Sequence, residues 1–290
     1  MMVAERRDEV IRNIQQAVLD GDFNRKVEVN DPDMTAEEKI QIVRAHLAAR
    51  KTTAFRAKTV IARTLANTLS AWLNRDMELR GMEHLEKIPG AAMLTCNHFN
   101  PLDNTVVRCF ARKAGKRRLP VISQETNLAM EGPLGFLMNY ADITPISSNP
   151  HYMQRDFFEI LSGLVAKGEF ILIYPEQEMW FNYRKPRPFK RGTYYYAAKL
   201  GIPVIPCFVE MRETDRMAAP GFRQVRCILH VLEPLFPDPA LSIKENSIRM
   251  CRRDFELKKE AYEAAYGKAL DYTFEPWDIA GWIPDGGDEA

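Results

Sequence analysis

The order of hydrophobic and polar positions divides the chain into a helical beginning and an alternating remainder. Residues 3–19 carry a polar helical pattern that stops near Gly21, a residue suited to the left-handed turn that ends helices. Thr35 with Glu38 three positions on is a capping-box pattern, and Ile40, Val43 and Leu47 follow at helical spacing. Residues 39–75 contain eight Lys or Arg and no Asp or Glu. Within them Ile61, Leu65, Leu69, Trp72 and Leu73 share one helical face, while Arg56 and Arg63 leave from the other. Such a basic amphipathic segment fits an anionic membrane interface. It fits equally a helix packing its apolar face on its own domain, and periodicity leaves both open.

After Gly81 short apolar runs alternate with helical patterns. Strands are predicted at residues 91–96, 119–122, 143–146, 170–174, 203–209 and 225–232, and helices at 101–114, 150–166, 192–200 and 242–270. This alternation predicts an α/β domain over residues 81–290, with a mixed, mostly parallel sheet flanked by helices, preceded by an N-terminal helical region over residues 1–80. The end of the chain, with Pro276, Trp277, Trp282 and the Asp285-Gly286-Gly287-Asp288 run, reads as an irregular cover followed by a frayed acidic tail.

Composition narrows the function classes. With 46% hydrophobic and 27% charged residues the chain is an ordinary globular one, and 40 basic against 39 acidic residues give little support to a dedicated nucleic-acid binder. Cys96, Cys109, Cys207, Cys227 and Cys251 are odd in number and widely spaced, which suggests reduced thiols in a cytoplasmic protein rather than disulfides or zinc. Residues 1–12 are charged, unlike a signal peptide, and no run approaches the roughly 18 apolar residues of a membrane span. Contact with a membrane is therefore expected from its surface. His46, His84, His151 and His230 lack metal-ligand spacing, and no glycine-rich phosphate or dinucleotide loop is present.

The stretch most informative about chemistry is Asn97-His98-Phe99-Asn100-Pro101-Leu102-Asp103, which follows the strand at residues 91–96. It places a histidine at a strand's carboxyl end, where open α/β sheets bind ligands. With Asn100 as N-cap and Pro101 as first helical residue, Asp103 falls in the first turn, where the helix dipole favours the ionised carboxylate. Asp103 could then reach back to His98, fix its tautomer and stabilise the imidazolium formed when His98 takes a proton. As a bare spacing, His-x4-Asp more often means a capping or core histidine and an ordinary first-turn acid. Cys96 reads as a buried small hydrophobe rather than a nucleophile.

Further blocks change the weight of that spacing. Tyr174-Pro175-Glu176-Gln177 follows another strand, Phe189-Lys190-Arg191-Gly192 comes next, and Pro203-Val204-Ile205-Pro206 after it. In this order, over about residues 80–209, the chain resembles the lysophospholipid/glycerolipid acyltransferase family, which includes 1-acylglycerol-3-phosphate acyltransferases. Asn97, His98 and Asp103 match its N-H-x4-D block; Tyr174, Pro175 and Glu176 match its F-P-E-G-T-R block in part; Phe189 to Gly192 match F-K-x-G; Pro203 to Pro206 match P-I-x-P-V.

The chain departs from the pattern at Gln177, Glu178 and Met179, where the family carries Gly-Thr-Arg, and no second-block arginine stands near Asp142-Ile143-Thr144-Pro145-Ile146. Arg184, Lys185, Arg187, Lys190 and Arg191 could supply the charge from a shifted position. The basic run Arg112, Lys113, Lys116, Arg117 and Arg118 reads first as a solvated helix end.

The resemblance implies transfer of a fatty acyl group from an acyl thioester, carried by coenzyme A or acyl carrier protein, to a lysophospholipid or glycerolipid hydroxyl. It implies His98 as general base and Asp103 as its orienter, with Asn97, Tyr174, Pro175, Glu176, Gln177, Lys190, Arg191 and Gly192 toward substrate. No metal or bound cofactor is implied, and the expected location is peripheral, on the cytosolic face of a membrane. A thioester or lipid hydrolase and a catalytically silent lipid-binding module are the competing expectations.

Overall fold

The computed structural model describes residues 6–29, 32–88 and 90–284. The predicted acidic run at residues 285–288 lies outside them. Three helices come first: α1 (Arg7–Leu19), α2 (Ala36–Ala49) and α3 (Thr53–Leu73). The α/β part follows, with strands β1 (Glu78–Arg80), β2 (Ala92–Thr95), β3 (Val121–Ser123), β4 (Ile143–Pro145), β5 (Phe170–Ile173), β6 (Val204–Ala219) and β7 (Phe222–Val231). Between and after the strands run α4 (Asn104–Lys113), α5 (Gly132–Tyr140), α6 (Pro150–Gln154), α7 (Asp156–Val165), α8 (Gly192–Leu200) and α9 (Ile243–Tyr266).

The strands form one seven-stranded sheet in the order β1-β7-β6-β2-β5-β3-β4. Only β6 and β7 pair antiparallel; the other neighbours are parallel. The sheet is thus mixed and mostly parallel, as the sequence pattern predicts. β2 lies between β5 and β6 and is buried throughout, which explains its unbroken apolar run.

Where prediction and structure differ, local chemistry gives the reason. The helix expected at residues 101–114 begins three residues later, because residues 101–103 form a turn and Asp103 is the N-cap position without capping the helix by its side chain. The helix expected at 150–166 breaks at Arg155, whose ψ of −74° lies outside ideal helical values. α5 was hidden by its Gly-Pro start, which reads as a turn. Gly135 is required inside it, since a Cβ there would come within 1.9 Å of the Met130 carbonyl oxygen. β6 and β7 extend well past their apolar stretches as an antiparallel ribbon, because residues beyond Met211 leave the core and carry no burial signal.

The basic segment at residues 39–75 is two helices rather than one. Thr35 and Glu38 form the capping box of α2, and Thr52 caps α3 by accepting from the Phe55 N–H at 3.1 Å. α3 packs by its small residues: Ala62, Ala66 and Ser70 are buried, with Ala141 and the partly buried Phe136 and Leu137 of α5 against them. Arg63 does not project freely; it donates to both carboxylate oxygens of Asp142 at 2.7 and 2.6 Å. Leu69 is half-buried, whereas Ile61, Leu65 and Trp72 are 55, 52 and 63% exposed. The protein's own domain therefore covers the small-residue face and leaves much of the large apolar stripe to its surroundings.

α1 is joined to the body by a second core. Val10, Ile11 and Ile14 pack with Trp180, Phe181, Tyr183, Phe222 and Ile279. At the sheet edge, Gly81 turns the chain out of β1 with φ +77°, and a Cβ there would lie 2.0 Å from the Val231 carbonyl oxygen. Gly81→Ala is therefore expected to lower stability by about 1–3 kcal/mol. Urea denaturation of the two proteins checks this, and an unchanged midpoint would contradict the close approach.

Candidate active site

Thr95 of β2 is in register with Ile173 of β5, so the chain segments leaving these neighbouring strands start side by side. His98 comes from the first and Tyr174 from the second. Their rings stack with centroids 4.0 Å apart and planes 13° off parallel. The Asp103 carboxylate, 3% exposed, returns from the turn to face both.

Asp103 Oδ2 lies 2.7 Å from His98 Nδ1 and accepts from the Phe99 and Asn100 backbone N–H groups at 3.1 and 3.4 Å. Its Oδ1 accepts from the Tyr174 hydroxyl at 2.5 Å. Burying a carboxylate is costly unless donors replace its water, and here donors come from two strand ends. This corrects the expected geometry: backbone N–H groups before the helix, rather than first-turn placement, hold the acid. Asn100 fixes the turn, its Oδ1 accepting from the Leu102 N–H at 3.1 Å. With Nδ1–H donating to Asp103, the acceptor lone pair of neutral His98 is on Nε2. No described residue hydrogen-bonds Nε2.

Asn97 and Glu176 occupy other places than the resemblance implies. Asn97 is buried, its Oδ1 accepting from the Val209 N–H at 2.8 Å and its Nδ2 donating to the Val209 carbonyl at 3.2 Å. It thus continues the β2–β6 pairing by one side chain rather than facing substrate. Glu176 is also buried, accepting from the His98 N–H at 3.2 Å, the Arg187 N–H at 3.1 Å and the Arg187 guanidinium at 2.9 Å. Both its oxygens are committed, so Glu176 holds the histidine's backbone instead of reaching an acceptor.

Arg187, which lies in none of the motif blocks, supports the site through Glu176. It stacks over Trp180 at 4.6 Å and donates to the Phe23 carbonyl at 3.1 Å, while burial pulls its pKa below the ordinary value against the pull of Glu176. A guanidinium eleven residues after Glu176 is too distant in sequence to be read as its partner. Arg184 and Lys185 are likewise buried, paired with Glu213 at 2.5 Å and Asp278 at 2.9 Å. They cannot serve as free charges for a phosphate. Lys190, Arg191 and Gly192 are exposed, and Lys190 and Gly192 line the cavity at the site.

That cavity, about 390 Å³, is lined by His98, Asp103, Tyr174 and Pro175 together with apolar side chains such as Ile122, Met138, Ile143, Met153 and Phe157. Gln177 and Met179 also line it. Gln177 has φ +66°, a left-handed conformation that suits the glycine found there in the resembling block. Cys96 is fully buried, and burial pushes its thiol well above the usual range, which disfavours the thiolate. Among the described residues no group of three His, Cys, Asp or Glu side chains could hold a metal ion.

A histidine braced by a buried carboxylate at the carboxyl edge of a parallel sheet, opening on an apolar cavity, has the parts of a general-base site for an apolar substrate. The Acyltransferase family model matches residues 76–210, the stretch that contributes these parts. The chain is 25% identical over 175 residues to the chloroplastic 1-acyl-sn-glycerol-3-phosphate acyltransferase BAT2 of Brassica napus, a match covering 56% of this chain and 46% of that protein. It thus spans less than half the length of that curated relative. The fold is similar to the crystal structure of the 1-acyl-sn-glycerophosphate acyltransferase PlsC from Thermotoga maritima, with a TM-score of 0.51 and 15% identity over 92% of this chain and 99% of that one. The family-model match over residues 76–210 and the curated relative support the resemblance to the lysophospholipid acyltransferase family.

Arg187→Met would leave the Glu176 carboxylate buried without its counter-charge, and a loss of about 3–5 kcal/mol of stability is expected. The double variant Glu176→Gln/Arg187→Met should recover part of it. Denaturation midpoints of the single and double variants give the test, and additive losses would contradict the pairing.

Proposed function

We propose that this protein transfers a fatty acyl group from an acyl thioester to the hydroxyl of a lysophospholipid or glycerolipid, 1-acylglycerol-3-phosphate being the acceptor that the relatives' names suggest. The observation that carries the reading is the His98–Asp103 pair in the wall of the apolar cavity. In this reading the acyl chain of the donor lies along Ile122, Met138, Ile143, Met153 and Phe157, which brings its carbonyl to the histidine. His98 Nε2 takes the acceptor hydroxyl's proton as its oxygen attacks the thioester carbonyl carbon. The tetrahedral intermediate collapses, the carbon–sulfur bond breaks, and the thiolate leaves with the proton that His98 returns. Asp103 stabilises the imidazolium between the two transfers. No acyl-enzyme is formed, in keeping with the buried, disfavoured thiolate of Cys96.

Lys190 and Arg191 supply exposed positive charge near the cavity for a phosphate of the acceptor or of the donor carrier. None of the described helices is long and apolar enough to cross a membrane. In this reading the exposed stripe of α3 rests on a bilayer surface, and cations of α2 and α3 meet anionic lipids. α5 packs on α3 and gives Leu134 and Met138 to the cavity, so the helix that would bind an acyl chain lies directly against the helix that meets lipid.

His98→Ala is expected to reduce turnover by roughly 10²- to 10⁴-fold with the fold retained, measured with a labelled acyl thioester and a panel of lysolipids. Release of free fatty acid without an acylated lipid would instead make the protein a hydrolase. Leu65→Glu/Trp72→Glu alters two exposed side chains and should release the protein from anionic vesicles while sparing transfer to a short-chain soluble acceptor. Binding should also weaken as salt rises. Salt-insensitive binding that survives the double change would remove α3 from the membrane contact.

A further inference from the structure

The second oxygen of the buried acid has its own donor. Asp103 Oδ2 serves His98 and two backbone N–H groups, whereas Oδ1 receives only the Tyr174 hydroxyl, at 2.5 Å. The resembling sequence block has phenylalanine where this chain has Tyr174, so the ring that stacks on His98 needs no hydroxyl to fill its place. The hydroxyl adds a specific bond to a carboxylate otherwise held by the backbone.

We propose that Tyr174 is a positioning residue for His98: its hydroxyl locks the Asp103 carboxylate in the plane that faces the imidazole and draws part of the carboxylate's charge, so that His98 stays a neutral base to lower pH. The inference rests on the general-base reading of His98. A carboxylate that accepts a strong second hydrogen bond stabilises a neighbouring imidazolium less, and the proton affinity of the imidazole falls. Tyr174 is suited to this as a permanent donor, because burial, and then the Asp103 charge, push its own pKa well above the usual phenol range.

The other charged and titratable groups around His98 come from several elements. Glu176 in the loop after β5 accepts from its backbone N–H and is neutralised by Arg187. Cys96 follows β2, and Arg108, on α4, acts on Tyr174. Glu28, Glu178 and Lys190 line the cavity with His98. Tyr174→Phe keeps all of these and the stacked ring, and removes only the hydroxyl.

The test is the imidazole titration of His98, followed by NMR in the intact protein and in Tyr174→Phe, alongside the pH dependence of kcat/KM for acyl transfer. The pKa of His98 and the acid limb of the rate profile are both expected to rise by about 0.5 to 1 unit in Tyr174→Phe, with the rate above the limb falling less than about tenfold. Replacement of Tyr174 by 3-fluorotyrosine, a stronger donor of the same shape, should move both in the opposite direction, and it gives the answer if the phenylalanine variant does not fold. A role limited to packing would lower the rate at every pH and leave the titration in place, and that result overturns the proposal. The titration needs no substrate. A shifted pKa in a protein without acyl-transfer activity would uphold the positioning and dismiss the functional reading, whereas transfer activity with an unshifted pKa would do the reverse.

Discussion

The buried carboxylate of Asp103 is the constraint around which the carboxyl end of the sheet is arranged. An ionised group this far from water is tolerated only when donors surround it, and four reach it here: His98 Nδ1, two backbone N–H groups and the Tyr174 hydroxyl. Satisfying it bends residues 97–103 into a turn before α4 can begin. It also requires the ends of β2 and β5 to be neighbours, which the parallel pairing of Thr95 with Ile173 supplies. The strand order thus serves one side chain's solvation as much as the core's packing.

A second buried carboxylate stands on the other side of His98 and is handled differently. Glu176 has a full counter-charge in Arg187, while Asp103 has neutral donors and the histidine. The difference has a chemical consequence. A carboxylate neutralised by a guanidinium offers a neighbouring imidazole little, but it can fix the peptide from which the imidazole hangs. A carboxylate held by dipoles keeps its negative charge for the moment when the imidazole becomes positive. Arg187 in turn binds the Phe23 carbonyl, and Trp180 donates to the Arg25 carbonyl at 3.0 Å, so the segment after α1 braces the loop that carries Glu176.

Beneath the site, Asp254 and Lys258 of α9 form a fully buried pair at 2.9 Å, with Thr95 and Tyr194 donating to Asp254 at 2.5 and 2.8 Å. Thr95 is the last residue of β2. The pair ties the strand that leads to His98 to α8 and α9, and such fixed supports keep the hydrogen bonds at the strand's end short.

The amino-acid sequence by itself determined the α/β alternation, the candidate site at residues 97–103, the capping box of α2 and the apolar stripe of α3, because each is a local pattern of spacing that a strand or helix converts directly into a face or an end. It also placed His98 and Asp103 close enough in the chain to meet. The tertiary structure alone decided what each polar group serves. The resemblance implies Asn97 and Glu176 as substrate contacts, yet one pairs with the Val209 backbone and the other with Arg187. Arg63, placed by helical periodicity on a solvent face, pairs with Asp142, 79 residues away. The same applies to the exposed part of α3: periodicity defines the stripe, and only the packing of Ala62, Ala66 and Ser70 shows which face the protein itself covers. The physical reason is common to all of these. Hydrophobic periodicity is written within one element, whereas the partner of a buried charge is chosen by three-dimensional proximity between segments remote in the chain, and no spacing rule records it.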